Sequence, residues 1–117
     1  MERLGYLIVP VNRTGMVTMM AGEEDADNLR FFPFTQSEMA AAFPAMQAFE
    51  NAFGFDSRGN TVEQLIDMRC ASIAEDIARR YAHEADDQTA HDAALRIAEA
   101  LACAQEVGSY VEFDFGR

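Results

Sequence analysis

Ser109-Tyr110-Val111-Glu112-Phe113-Asp114-Phe115 alternates polar and apolar side chains, with Tyr110, Glu112 and Asp114 on one side and Val111, Phe113 and Phe115 on the other. A period of two predicts a strand with one buried face. A strand needs a neighbour, and the other β-rich run, Leu4–Val11 (LGYLIVPV), lies at the opposite end of the sequence. Between them lie helical patterns rather than alternating strand and helix, so the two runs are expected to meet in an antiparallel sheet.

Around the first run, Asn12-Arg13-Thr14-Gly15 is a turn signal, and Met16–Met20 reads as the returning strand of a hairpin. Pro10 confines its strand to an edge or a bulge near that turn. Leu29–Phe34 (LRFFPF) reads as a further short strand, interrupted by Pro33.

Three helical tracts follow. Thr35-Gln36-Ser37-Glu38 matches a capping box, with a hydroxyl at the N-cap and Glu three residues on. Pro44 either kinks this helix or begins a second one, and Met39, Phe43, Met46, Phe49 and Phe53 fall on one helical face. Asn60-Thr61-Val62-Glu63 opens the next tract, where Val62, Leu65, Ile66, Cys70, Ile73, Ile77 and Tyr81 form an apolar stripe. Glu75–Arg79 and Asp76–Arg80 are i,i+4 pairs on its wet side. Thr89-Ala90-His91-Asp92 resembles a third cap, before an apolar face of Ala94, Ile97, Ala98, Leu101 and Ala102, and Gly108 is placed to stop that helix. The chain thus reads as one α+β domain over residues 1–117. An N-terminal hairpin, the C-terminal strand and the further short strand make a small antiparallel sheet, packed against about three helices.

Charge narrows the function. Twenty acids stand against nine Arg and no Lys, a net charge of −11. Such a balance argues against direct contact with nucleic acid, which is held by clustered cations, and against anionic membrane surfaces. It favours steered association with a basic protein. Twenty Ala with Arg but no Lys fit a GC-rich coding sequence, hence a bacterial or phage source. Met1-Glu2-Arg3-Leu4 lacks the basic start of a signal peptide, and no apolar run approaches the roughly 18 residues of a membrane span. The expected location is the cytoplasm of a bacterial or phage-infected host cell. Cys70 and Cys103, each in a helical tract, read as small apolar residues in a reducing compartment.

Eight of the acids gather in two segments that contain no Arg: Glu23, Glu24, Asp25 and Asp27, then Glu84, Asp86, Asp87 and Asp92. An EF-hand starting at Asp25 fails, because Leu29 and Arg30 take positions that need a ligand and a glycine. His83 and His91 flank the second segment but lack the HExxH spacing, so no metal and no cofactor is assigned. GxSxG, a Cys–His pair, a P-loop and GxGxxG are all missing, and no catalytic residue is named. Phe31, Phe32 and Phe34 form a dense cluster that serves either as core or as an apolar anchor beside the acids.

Three functional classes follow. The first is a binding or inhibitor protein presenting both acidic segments, anchored by Phe31, Phe32 or Phe34, to a basic nucleic-acid-handling surface such as a nuclease or a CRISPR effector subunit. In size and acidity alone the chain is similar to phage anti-CRISPR proteins, DNA mimics and immunity proteins. The second is an assembly subunit, a homo-oligomer joined through a Phe- and Met-rich face. The third is a small metal-dependent enzyme around His83 and His91.

Overall fold

Four strands form one sheet in the computed structural model, which describes residues 5–21, 26–53, 65–66 and 68–115. They are β1 (Gly5–Pro10), β2 (Leu29–Phe34), β3 (Leu65–Ile66) and β4 (Val111–Asp114), in the order β2-β1-β4-β3 with every neighbour antiparallel. The helices are α1 (Arg13–Met20), α2 (Gln36–Ala41), α3 (Phe43–Phe53), α4 (Met68–Glu84) and α5 (Gln88–Val107). The α+β architecture is the expected one. Val111 and Phe113 are buried, while Glu112 and Asp114 between them are half-buried.

Register aligns the core. Leu7 stands opposite both Phe32 and Phe113, so three large side chains cross the sheet in one row. Val9, Phe34 and Val111 share that face, and the row is sealed by Met46 and Phe49 of α3 and by Ile97 and Leu101 of α5. Phe34 packs against Phe115 with ring centroids 5.0 Å apart, and Phe49 meets Phe113 edge to face.

Several local expectations are corrected. Met16–Met20 is helical, and β1 takes β2 as its partner instead. The reason lies in Asn12, whose side-chain oxygen accepts from the Gly15 N–H at 2.8 Å and so caps a helix rather than shaping a turn. Leu65 and Ile66 belong to β3, paired with Glu112 and Val111, so α4 begins only at Met68. Asn60–Glu63, the cap expected to open that helix, lies outside the described residues. Pro44 falls in the first turn of a separate helix, and the break at Ala42 rotates Phe43 out of the face that keeps Met46 and Phe49 buried. The cap of α5 is Asp87 rather than Thr89.

The face that α4 buries is only in part its large apolar stripe, of which Cys70 and Ile77 pack half-buried against the core. Ala71, Ala74, Ala78 and Ala82 are the buried side chains, whereas Ile73 is 56% and Tyr81 37% exposed. Small side chains permit the close approach of α4 to α5, whose Ala93, Ala94, Ala98, Ala100 and Ala104 are likewise buried. On the wet side, Glu75 pairs with Arg79 as expected, at 2.7 Å, and its other oxygen accepts from Gln105 of α5.

The capping box holds and does more than cap. Glu38 Oε1 accepts from the Thr35 N–H at 2.9 Å, and Thr35 Oγ1 accepts from the Glu38 N–H. Glu38 Oε2 meets Arg96 of α5 at 2.7 Å. Arg96 also donates to the Pro33 carbonyl at 3.1 Å and sits over the Phe34 ring. One guanidinium thus ties β2, α2 and α5 together. Burial pushes the Glu38 carboxyl up, but the Thr35 N–H and Arg96 outweigh it and hold the group below its ordinary value.

At the far end, Gly108 takes φ 70°, ψ 40° and stops α5, as its position after the apolar face predicts. No helix among the described residues is long and apolar enough to cross a membrane.

Two outcomes follow. Glu38→Gln, which keeps a side-chain oxygen for the capping box but loses the charge that meets Arg96, is expected to cost about 1 kcal/mol at pH 7 from the half-buried ion pair. Because the native carboxyl is depressed, its contribution is present above the ordinary Glu value of 4.5 and fades as pH falls through the native value. Urea midpoints of parent and variant should therefore converge only once the pH falls below that depressed native value. Gly15→Ala reverses the usual helix preference. A Cβ there would collide with the Asn28 carbonyl oxygen, so thermal denaturation should show a loss of about 2 kcal/mol instead of a gain.

Candidate functional site

The turn between α4 and α5 presents the second acidic segment. Glu84 and Asp86 are exposed, Asp87 is exposed at the head of α5, and Asp92 is half-buried one turn further on. Two of these carboxylates have structural work. Asp87 accepts from the Ala90 N–H at 2.8 Å and caps α5, and Asp92 accepts from Gln88 at 2.7 Å. Glu84 has the opposite relation to local stability: it sits in the last turn of α4, where the helix dipole favours cations, whereas Asp86 lies just before the N-cap of α5, whose dipole favours an anion.

His83, Asp86, Asp87, Gln88 and His91 line an open hollow of about 370 Å³ at this end. His91 lies 2.8 Å through Nδ1 from the Ala82 carbonyl, so α5 occupies one of the last free acceptors of α4. That contact joins the two helices across the turn, and spacing alone gave no signal of it. Among the described residues, no three His, Cys, Asp or Glu side chains come together closely enough to hold a metal ion. Cys70 and Cys103 are not joined to each other; Cys103 Sγ lies 3.7 Å from Arg30 Nη1.

Of the first acidic segment, Glu23, Glu24 and Asp25 lie outside the described residues. Asp27 is exposed in a 3-10 turn at Ala26–Asn28, immediately before β2. The two segments do not share a surface at Asp27. Arg96 contacts Pro33 and Arg30 contacts Cys103, so α5 runs antiparallel to β2. Asp27 therefore sits near the C-terminal end of α5, and Glu84–Asp92 at its N-terminal end. Twenty helical residues between them span roughly 30 Å.

The apolar candidates divide as well. Phe32 and Phe34 are buried, so neither is an anchor for a partner: both point from β2 into the helix layer. Phe31 points to the opposite face and is 43% exposed, its ring meeting Tyr6 edge to face at 5.9 Å. Alternation along β2 separates 31 from 32 and 34, as period two requires. Tyr6 was not singled out by sequence reading, although its place in β1 follows from the same alternation. α1 packs against β1, and the Tyr110 hydroxyl reaches the Met16 carbonyl at 3.4 Å, so part of that second face is covered.

No protein-family model, no curated protein and no solved structure matches the chain. The reading of its surface rests on its own residues.

The carboxylates of the turn should separate in a stability series. Asp87→Ala is expected to cost about 1 kcal/mol through the lost cap. Glu84→Gln should stay within about 0.5 kcal/mol of the parent or gain slightly, and Asp86→Asn should stay within about 0.5 kcal/mol or lose slightly. Urea denaturation at pH 7 reads the difference.

Proposed function

We propose that the protein is a small acidic binding or inhibitor protein that engages a basic protein surface through the α4–α5 turn. One observation carries the reading: Glu84, Asp86 and Asp87 are exposed together at the α4–α5 turn, and no Arg or Lys lies anywhere in residues 81–95 to offset them. Glu84, in the last turn of α4, faces a dipole that disfavours its charge, so that charge serves no purpose for the helix. The matching surface is one built to hold phosphates, such as the nucleic-acid channel of a nuclease or a CRISPR effector subunit, in the cytoplasm of a bacterial or phage-infected cell. Carboxylates there would compete for the same Arg and Lys side chains. Asp87 shapes the turn, and Asp27 contributes to the field that steers the encounter from a distance. The assembly-subunit and metal-enzyme readings have no comparable observation behind them.

A deca-arginine peptide serves as the probe of a basic surface. Asp86→Asn should weaken its binding about threefold at low salt, and Glu84→Gln/Asp86→Asn about tenfold, with a shallower salt dependence. Asp76→Asn, which removes one charge from the exposed side of α4, should change binding less than the Asp86 variant does. Equal losses from Asp76→Asn and Asp86→Asn would reduce the effect to bulk charge and end the proposal.

A further inference from the structure

β2 is the last strand on its side of the sheet among the described residues. The Val11 N–H donates to the Asn28 carbonyl at 3.0 Å, and this fixes the parity of the ladder. Residues 28, 30, 32 and 34 turn their backbone groups toward β1, so Leu29, Phe31 and Pro33 turn theirs outward. Pro33 has no N–H, and its carbonyl is taken by Arg96. Among the described residues, what the edge offers is therefore the N–H and C=O of Leu29 and of Phe31.

Each side of this edge has its own chemistry. On the outer face lie the exposed Phe31 ring and Tyr6 against it. On the helix side, Arg96, Glu99, Cys103 and Glu106 follow a three- and four-residue spacing, so they share one flank of α5. Arg96 and Cys103 hold that flank against β2, and Glu99 and Glu106 beside them are exposed. Among the described residues, the charged groups along the edge are Asp27, Glu38, Glu99 and Glu106 against Arg30 and Arg96, an acidic surplus on a chain of net charge −11.

We propose that this edge takes up an extended segment of a basic partner protein as an added strand. Alternate side chains of that segment would be apolar, resting on Phe31 and Tyr6, and the others Arg or Lys, facing Glu99 and Glu106. A second copy of the chain fits worse. Two bodies of charge −11 repel, and a symmetric pairing centred on Phe31 would oppose Leu29 to a proline that cannot donate. The inference shares with the function proposed above only the basic character of the partner, and it uses a different part of the molecule.

The test uses the full chain and two versions of one probe, the peptide Arg-Val-Arg-Val-Arg-Val-Arg. One version is unmodified. The other is N-methylated at alternate amides, which keeps its charge and removes backbone donors. Calorimetry should show the methylated peptide binding at least about tenfold more weakly, and Phe31→Ala should weaken the unmodified peptide about fivefold. Hydrogen exchange should show the Leu29 and Phe31 amides slowed about tenfold by the unmodified peptide alone. Glu84→Gln/Asp86→Asn should leave the ratio between the two peptides unchanged, so this result stands or falls separately from the α4–α5 turn. Equal binding of the two peptides overturns the inference. Protection of those two amides that grows with protein concentration without peptide, alongside a sedimenting dimer, assigns the edge to a second copy and also overturns it.

Discussion

Close contact between α4 and α5 over alanine is the constraint on which the helix layer depends. Ala71, Ala74, Ala78 and Ala82 meet a second helix that also buries alanine, and side chains with no rotamers to lose pack there at little entropic cost. The contact brings two helix backbones near one another and leaves little volume between them. Bulk for the core must then come from elsewhere. It comes from the sheet, through Leu7, Phe32, Phe34 and Phe113, and from Phe49 on α3. Ile73 and Tyr81 are displaced to the rim by the same geometry.

The second organising contact is Arg96. Its partners, Glu38, Pro33 and the Phe34 ring, lie on two other elements, so it fixes α5 against both β2 and α2. A carboxylate that already closes a capping box is an economical partner, because its rotamer is held before the ion pair forms. The same contact sets the character of the sheet edge. It consumes the Pro33 carbonyl and, among the described residues, confines the free backbone groups to Leu29 and Phe31. Proline and a bound arginine are devices that shorten an edge without covering it.

Charge follows the length of α5. One acidic group, Asp27, lies toward its C-terminal end, and Glu84, Asp86, Asp87 and Asp92 lie toward its N-terminal end. Within the second group the acids are not equivalent. Asp87 and Asp92 satisfy local hydrogen bonds, Asp86 adjoins the N-terminus of α5, and Glu84 alone faces a helix terminus of the wrong sign. A count of charges cannot make that distinction, because it depends on which atoms the carboxylates meet.

Much of the fold was legible wherever the signal is local. The Thr35–Glu38 capping box, the Gly108 stop and the alternation of Val111–Asp114 depend on residues within a few positions of one another, and all three stand. Met16–Met20 was not legible, since a short apolar run suits a strand or a helix equally. The Asn12 cap decided it, together with the packing of Gly15 on Asn28. Leu65 and Ile66 carry the spacing of a helical stripe but pair with β4, a neighbour more than forty residues away. The candidate site divides the same way. That Glu84 and Asp86 would be exposed follows from the cost of burying unpaired acids. By itself, then, the sequence determined the α+β class, the caps and the acidic character. Only the tertiary structure decided that Phe32 and Phe34 turn inward while Phe31 does not, that α4 buries Ala71, Ala74 and Ala78 while Ile73 stays exposed, and that Asp27 and the second acidic segment stand at opposite ends. Those choices are made by which long-range partner reaches each face first, and no local pattern encodes that.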